Sequence, residues 1–167
     1  DDHEGIIVLP PDAPTGMSFL KYLHLDSERL ELELTPNRPD AMSHRGVARD
    51  LSALFGRPTT NPITSPEENG RPVEEITSVL VDDPEGCPRY VARVVEGVRI
   101  APSPSWLAGR LRQVGVRPIN NVVDVTNYVL MAIGHPLHAF DLHRLAGHRI
   151  VVRAAERDER FTTLDGT

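Results

Sequence analysis

Cysteine is nearly absent: Cys87 is the one thiol in 167 residues. No internal disulfide can form, which suits a reducing compartment, and a cytoplasmic location is expected. Lysine is as scarce, with one Lys against seventeen Arg. Contacts to carboxylate or phosphate would therefore use the planar guanidinium fork. Positive charge is in deficit overall: 18 basic residues face 24 acidic ones, for a formal net charge of −6. That balance argues against binding nucleic acid through bulk charge, because neutralising phosphates takes clustered cations. It leaves room for a module that handles only the end of a nucleic acid. Aromatic residues number eight, so a core must be built mainly from Val, Leu, Ile and Ala. No apolar run reaches membrane-spanning length, and the acidic N-terminus does not resemble a signal peptide; no membrane partner is expected. Phosphate-cradling loops of the Gly-x-x-x-x-Gly-Lys-Ser/Thr or Gly-x-Gly-x-x-Gly kind are missing, as is a Gly-x-Ser-x-Gly elbow. This argues against an ATP-using centre or a nucleophilic serine within these residues.

What the chain does have is a dense polar cluster at residues 115–141. Arg117, Asn120, Asn121, Asp124, Thr126, Asn127, His135, His138 and Asp141 fall within 25 residues, inside an otherwise apolar run. Buried hydrogen-bonding groups cost free energy unless partnered, so a stretch that served only as core would not carry so many. This stretch is the expected site, and the rest of the chain its support.

Local patterns suggest an α+β class, since strands and helices mix without a regular βαβ rhythm. Strands are expected at residues 5–9, 30–34, 76–81, 90–100, 149–154 and 161–164 from apolar runs or alternation. Residues 12–16 and 82–88 read as turns. A short helix capped by Ser18 is expected to reach Leu23. Residues 35–40, Thr-Pro-Asn-Arg-Pro-Asp, read as an extended loop. A helix over residues 41–55 should stop at Gly56. Residues 57–75 are the most linker-like, and a domain boundary is expected at about 58–75. Ser103 is expected to cap a helix with Pro104 at its first position and Gly115 at its end. Residues 122–133 are rich in β-branched side chains, which favour a strand. Their length, Asn121 as N-cap and Gly134 as stop favour a helix, and the helix is preferred. On that helix Val122, Val125, Val129 and Ile133 would form an apolar stripe containing Thr126, with Asp124, Asn127 and Met131 opposite. Asp141 is expected to cap a further short helix, to Leu145, closed by Gly147.

Each polar residue also has a plainer reading. His135, His138, Asp141 and His143 invite a metal ion, but their spacing fits no zinc signature and Pro136 breaks the helix that would align them. Scattered surface histidines account for His143 and His148. His138, beside Leu137 and Phe140, reads equally as a partnered, partly buried His. Thr126 could bond back to the preceding turn. Asn127 could be a plain helix-surface residue, and Arg117 a solvated turn residue.

Several separated blocks resemble the β subunit of bacterial phenylalanyl-tRNA synthetase. They are Thr-Pro-Asn-Arg-Pro-Asp (35–40) with Arg-Gly-Val-Ala-Arg-Asp-Leu (45–51), Ser-Pro-Ser-Trp-Leu (103–107), Val-Asp-Val-Thr-Asn-Tyr-Val-Leu (123–130), Gly-His-Pro-Leu-His-Ala-Phe-Asp (134–141) and Thr-Leu-Asp-Gly (163–166). Their order matches, and the similarity runs over nearly the whole chain. The resemblance implies that residues 1–26 end an OB-type tRNA-binding insertion. Residues 27–75 would be a small helical domain and linker, and residues 76–167 the N-terminal part of a B3/B4 editing domain with mixed β/β/α layering. It implies an enzyme that charges tRNA(Phe) with phenylalanine, and a domain that hydrolyses Tyr-tRNA(Phe) made in error. The pocket residues it implies here are Arg117 and Thr126 as binders, with His138 and Asn127 at the reaction itself. His135 stands where the family usually has Gln and takes no role. Partners implied are the acceptor end of tRNA(Phe) and an α subunit, in a heterotetramer of two α and two β chains. ATP and Mg are implied for the whole enzyme and no cofactor for this segment. The missing initiator Met and the abrupt close suggest a fragment, expected to lack the rest of the pocket, to be inactive alone and to self-associate. Two other readings stand beside this one: a non-catalytic tRNA- or protein-binding relative, and a metal-dependent hydrolase using the histidines.

Overall fold

The computed structural model describes residues 6–60 and 65–162. They fall into two compact units, Asp1–Pro62 with Arg99–Ala139 and Ile63–Val98 with Phe140–Thr167. The first unit carries the four α-helices among the described residues, and the second a parallel two-stranded sheet. The expected α+β class holds.

In the helical unit, α1 (Phe19–Tyr22) follows Ser18, as expected, although the Ser18 side chain makes no capping bond. The proline-rich loop ends in a 3-10 turn, Pro39–Ala41, that leads into α2 (His44–Phe55). Ser43 caps α2 by accepting from the Gly46 N–H at 3.1 Å. Gly56, at φ 61°, closes it by donating to the Ser52 carbonyl. That left-handed conformation suits glycine at a helix end. Gly46 is required for a different reason, because a Cβ there would sit 1.7 Å from the Asp40 carbonyl oxygen. Only a residue without a side chain lets the turn lie so close against α2. Arg38 then ties turn to helix, donating to Asp40 from Nε and Nη2 at 3.0 Å each and to Asp50 at 2.6 Å. The side-chain bond from Arg38 is the main cause holding the Asp40 carboxyl below its ordinary range.

Helix α3 (Ser105–Gln113) buries Leu107, Ala108 and Leu111. Gly109 lets the chain at Leu23 pack on it, since a Cβ would come within 2.6 Å of the Leu23 carbonyl oxygen. Gln113 completes that contact by donating to the His24 carbonyl at 2.8 Å. Helix α4 (Asn121–Ile133) is joined to α3 by an aromatic pair, Trp106 and Tyr128, edge-on with centroids 5.7 Å apart. Arg110 lies 5.5 Å above Trp106 and donates to Tyr128 Oη at 2.8 Å, adding a cation–π contact.

In the sheet unit, β1 (Ser78–Val81) pairs with β2 (Arg149–Val152) in the register Ser78↔Arg149. Thr77 Oγ1 extends the pairing at one end, donating to the His148 carbonyl at 2.7 Å. The Asp82 N–H does so at the other, to Val152 at 2.8 Å. Asp141 caps a 3-10 turn, Leu142–Arg144, by accepting from the His143 N–H at 3.1 Å. Arg153 grips Glu159 through two bonds of 2.8 and 2.5 Å.

Several expected elements take another form. Residues 6–9, 30–34 and 90–100 are irregular, not strands. Alternation marks a strand only where an edge is there to receive it. Leu30 and Val91 are each 73% exposed, and these segments pair with no strand among the described residues. Phe161 is likewise irregular, and residues 163–164 lie outside the described residues. The α3 N-cap is Pro104, whose carbonyl accepts from the Leu107 and Ala108 N–H groups, while the Ser103 hydroxyl bonds to Asp124. The α4 N-cap is Asn120, not Asn121.

Candidate functional site

The polar cluster is built around α4 and the loop before it. Asn120 Oδ1 accepts from the Val122 and Val123 N–H groups at 3.1 and 3.0 Å, satisfying donors that a helix start leaves open. Asn121, one residue on, looks outward from the helix to the preceding chain. It accepts from the Ala101 N–H at 3.1 Å and donates to the Arg99 carbonyl at 2.9 Å. The paired asparagines thus divide the work: one starts the helix and the other fixes its approach.

Asp124 is the fully buried charged residue of this site, at 0% exposure. A buried carboxylate is tolerated only when its oxygens are well partnered. Ser103 Oγ donates to Oδ2 at 2.5 Å, and the Ile119 N–H donates to Oδ1 at 2.8 Å. Its place in the first turn of α4 also suits a negative charge. This departs in part from the expected helix wheel, of whose apolar stripe Val122, Thr126 and Val129 are half-buried. Asp124 and Tyr128, four apart, share the face toward α3, while Val125 and Ile133 of the supposed core stripe are 49% and 47% exposed. The wheel placed Asp124 outside because it counts hydrophobicity and cannot count waiting donors. The signal available in the sequence was an acid in the first turn of an otherwise apolar helix.

The four expected site residues all lie in the helical unit. Arg117 is exposed on the loop after α3. Thr126 and Asn127 are half-buried neighbours on α4. Thr126 Oγ1 donates to the Val123 carbonyl at 2.7 Å, the bond back to the preceding turn that its plainer reading foresaw. That bond commits the Thr126 hydroxyl to the helix backbone. His138 is exposed on the irregular segment beyond Gly134, whose φ of 78° ends α4. Cavities of about 320 Å³ along α2 and about 220 Å³ between α2 and Gly134 are not lined by any of the four. Among the described residues no group of three or more His, Cys, Asp or Glu side chains could hold a metal ion. No helix there is long and apolar enough to cross a membrane.

Residues 86–167 match the family model described as the B3/4 domain. The chain is 53% identical over 165 residues to the phenylalanine–tRNA ligase beta subunit of Anaeromyxobacter dehalogenans, covering 99% of this chain and 21% of that protein. It is 52% identical over 166 residues to the beta subunit of Moorella thermoacetica, with the same coverage of 99% and 21%. For that of Geobacter sulfurreducens the identity is 53% over 165 residues, again at 99% and 21% coverage. The chain therefore spans about a fifth of the length of these relatives. Arg117, Thr126, Asn127, His138 and the buried Asp124 all fall inside the matched domain. A B3/4 match joined to such identity along nearly the whole chain shows the family: the chain belongs to the phenylalanine–tRNA ligase beta subunit family.

Proposed function

We propose that this segment contributes one wall of a pocket that hydrolyses Tyr-tRNA(Phe), within a β subunit that works with an α subunit to charge tRNA(Phe). The observation that carries the reading is the B3/4 match over residues 86–167, which holds all four site residues. The division into the end of an OB-type insertion (1–26), a small helical domain (27–75) and the start of the editing domain (76–167) belongs to the same proposal. So do the two-α, two-β assembly and the cytoplasmic setting. ATP and Mg serve the charging reaction of the whole enzyme.

The chemistry asked of the pocket is modest. An aminoacyl ester has a reactive carbonyl, so holding it against a positioned water lowers the barrier substantially. His138 and Asn127 hold the ester, its terminal ribose or the attacking water. Thr126 shapes the wall, and Arg117 contacts the tRNA terminus. Selecting tyrosine in a second site makes physical sense. An apolar synthetic pocket rejects an added hydroxyl only weakly, while a pocket that hydrogen-bonds the hydroxyl selects for it.

The test is His138→Ala in the intact two-subunit enzyme. Deacylation of Tyr-tRNA(Phe) should fall by on the order of 100-fold, the usual weight of a group that positions or accepts a proton. Phenylalanine charging should stay near normal. Unchanged deacylation refutes the role of His138 and favours a segment that only docks tRNA or protein.

A further inference from the structure

The functional reading uses Arg117, Thr126, Asn127 and His138, and gives Asp124 nothing to do. Yet Asp124 is the one fully buried charged residue among the described residues, and its carboxylate ties its own helix to two other pieces of chain. Its own backbone sits in the first turn of α4, two and three residues before Thr126 and Asn127. Oδ1 receives the N–H of Ile119, two residues after Arg117, at 2.8 Å. Oδ2 receives the hydroxyl of Ser103, on the chain entering α3, at 2.5 Å. One end of the Arg117 loop, at Ile119, and the chain entering α3, at Ser103, are thereby bound to one carboxylate in the first turn of α4. Hydrogen bonds to an ionised acceptor are shorter and about twice as strong as neutral ones. The Ser103 contact lies at the short end of that range.

From this geometry we propose that Asp124 is a positioning residue for the proposed editing pocket. It sets the loop that carries Arg117 against the helix that carries Thr126 and Asn127. It touches no substrate and transfers no proton; it acts through Arg117. The inference rests on the functional reading above and adds to it a residue that the reading leaves out.

Four variants of the intact two-subunit enzyme test it: Arg117→Ala, Asp124→Ala, the double variant, and Asp124→Asn. Each is assayed for Tyr-tRNA(Phe) deacylation, with phenylalanine charging as the measure of folded enzyme. Asp124→Ala should lower kcat/KM for deacylation by on the order of 100-fold, the scale of a misplaced binding group. Most of the loss should appear in KM, because Arg117 is a binder. The double variant should be no worse than Arg117→Ala alone, since a residue that acts through another adds nothing once that other is gone. Asp124→Asn should recover most of the activity. Its amide oxygen still accepts from Ile119, and its NH2 donates to Ser103 Oγ. If Asp124→Ala fails to fold, Ile119→Pro replaces it in the same cycle, since it removes the N–H that the carboxylate binds in the Arg117 loop and leaves the Ser103 bond in place.

Multiplicative losses in the double variant would show a general structural role and overturn the proposal. So would full deacylation by Asp124→Ala. An unaltered Arg117→Ala enzyme overturns it as well, and His138→Ala then tells which reading fell. If that variant is impaired, the pocket stands and the positioning role alone is lost. If it is not, the editing role falls with it.

Discussion

Exposed ion pairs serve both the helical unit, as Arg38 does with Asp40 and Asp50, and the sheet unit, but the two differ in their buried polar contacts. In the first, side chains that are buried or half-buried bind the backbone: Asp124 to Ile119, Asn120 to Val122 and Val123, and Ser43 to Gly46. In the second, the main ion pairs lie between exposed groups, such as Arg71 with Glu96 and Arg93 with Glu68. A group that loses its partner inside the protein bears the full cost of desolvation, whereas one at the surface returns to water. The helical unit should therefore be brittle to single substitutions and the sheet unit tolerant.

A pair of glycines puts the largest strain on that comparison. A Cβ at Gly46 meets the backbone of the Pro39–Ala41 turn at 1.7 Å, and backbone cannot step aside. Gly46→Ala should cost about 3 kcal/mol, the upper end for overpacking, despite the better helix propensity of alanine. At Gly86, in the sheet unit, the nearest obstacle is the Asp83 carboxylate at 2.3 Å, a side chain that can swing away at the loss of one exposed bond from the Gly86 N–H. Gly86→Ala should cost less than about 1 kcal/mol, the ordinary range for a surface change. Equilibrium unfolding in urea measures both. Equal losses would break the comparison.

The same contrast governs what could be read from the sequence. Helix ends were legible because their signals are local. Gly56 and Gly134 each stop a helix within a residue of their expected places, and Asp141 caps its turn. Strands were legible where a partner exists, as at Ser78–Val81 and Arg149–Val152. They were misread where it does not: residues 30–34 and 90–100 alternate as well as any strand, but pairing is a long-range property that alternation cannot report. At the candidate site the sequence marked the right stretch and assigned the asparagines one position off, since either Asn can cap. It placed Asp124 outside because its two donors come from Ser103 and Ile119, and the Ser103 contact closes only in three dimensions.

A second pair sharpens the contrast at smaller scale. Asn120 receives two N–H groups from a half-buried helix start, and Asn120→Ala should cost about 1 kcal/mol, the typical loss of a helix cap. Asp141 receives a single N–H at an exposed 3-10 turn. Asp141→Ala should cost only a few tenths of a kcal/mol, as surface substitutions do. Thermal unfolding of the two variants checks the order. A larger shift for Asp141→Ala would mean that the sheet unit depends on its surface contacts after all.

The smallest effect belongs to the Arg153–Glu159 clasp, and it is read by pH. The side-chain bonds from Arg153, aided by the Glu156 N–H, lower the Glu159 carboxyl from 4.5 to about 2. A carboxyl whose value is depressed in the folded chain stabilises it fully above the unfolded value, and that contribution is lost as pH falls through the folded value. The clasp should therefore hold down to about 4.5 and let go as Glu159 protonates near 2. Both partners are exposed, so the gain in stability is small and screened by salt. The Glu156 N–H, which donates to Glu159 Oε2 at 2.8 Å, is a local reporter. Its amide resonance, followed by NMR as acid is added, should shift with a midpoint near 2 that moves upward in Arg153→Gln, though the Glu156 N–H still holds it below 4.5. A wild-type midpoint near 4.5 would mean that Arg153 does not hold Glu159 in solution. The sheet unit would then be left with its backbone pairing and without the ion pair that best resembles the buried contacts of the helical unit.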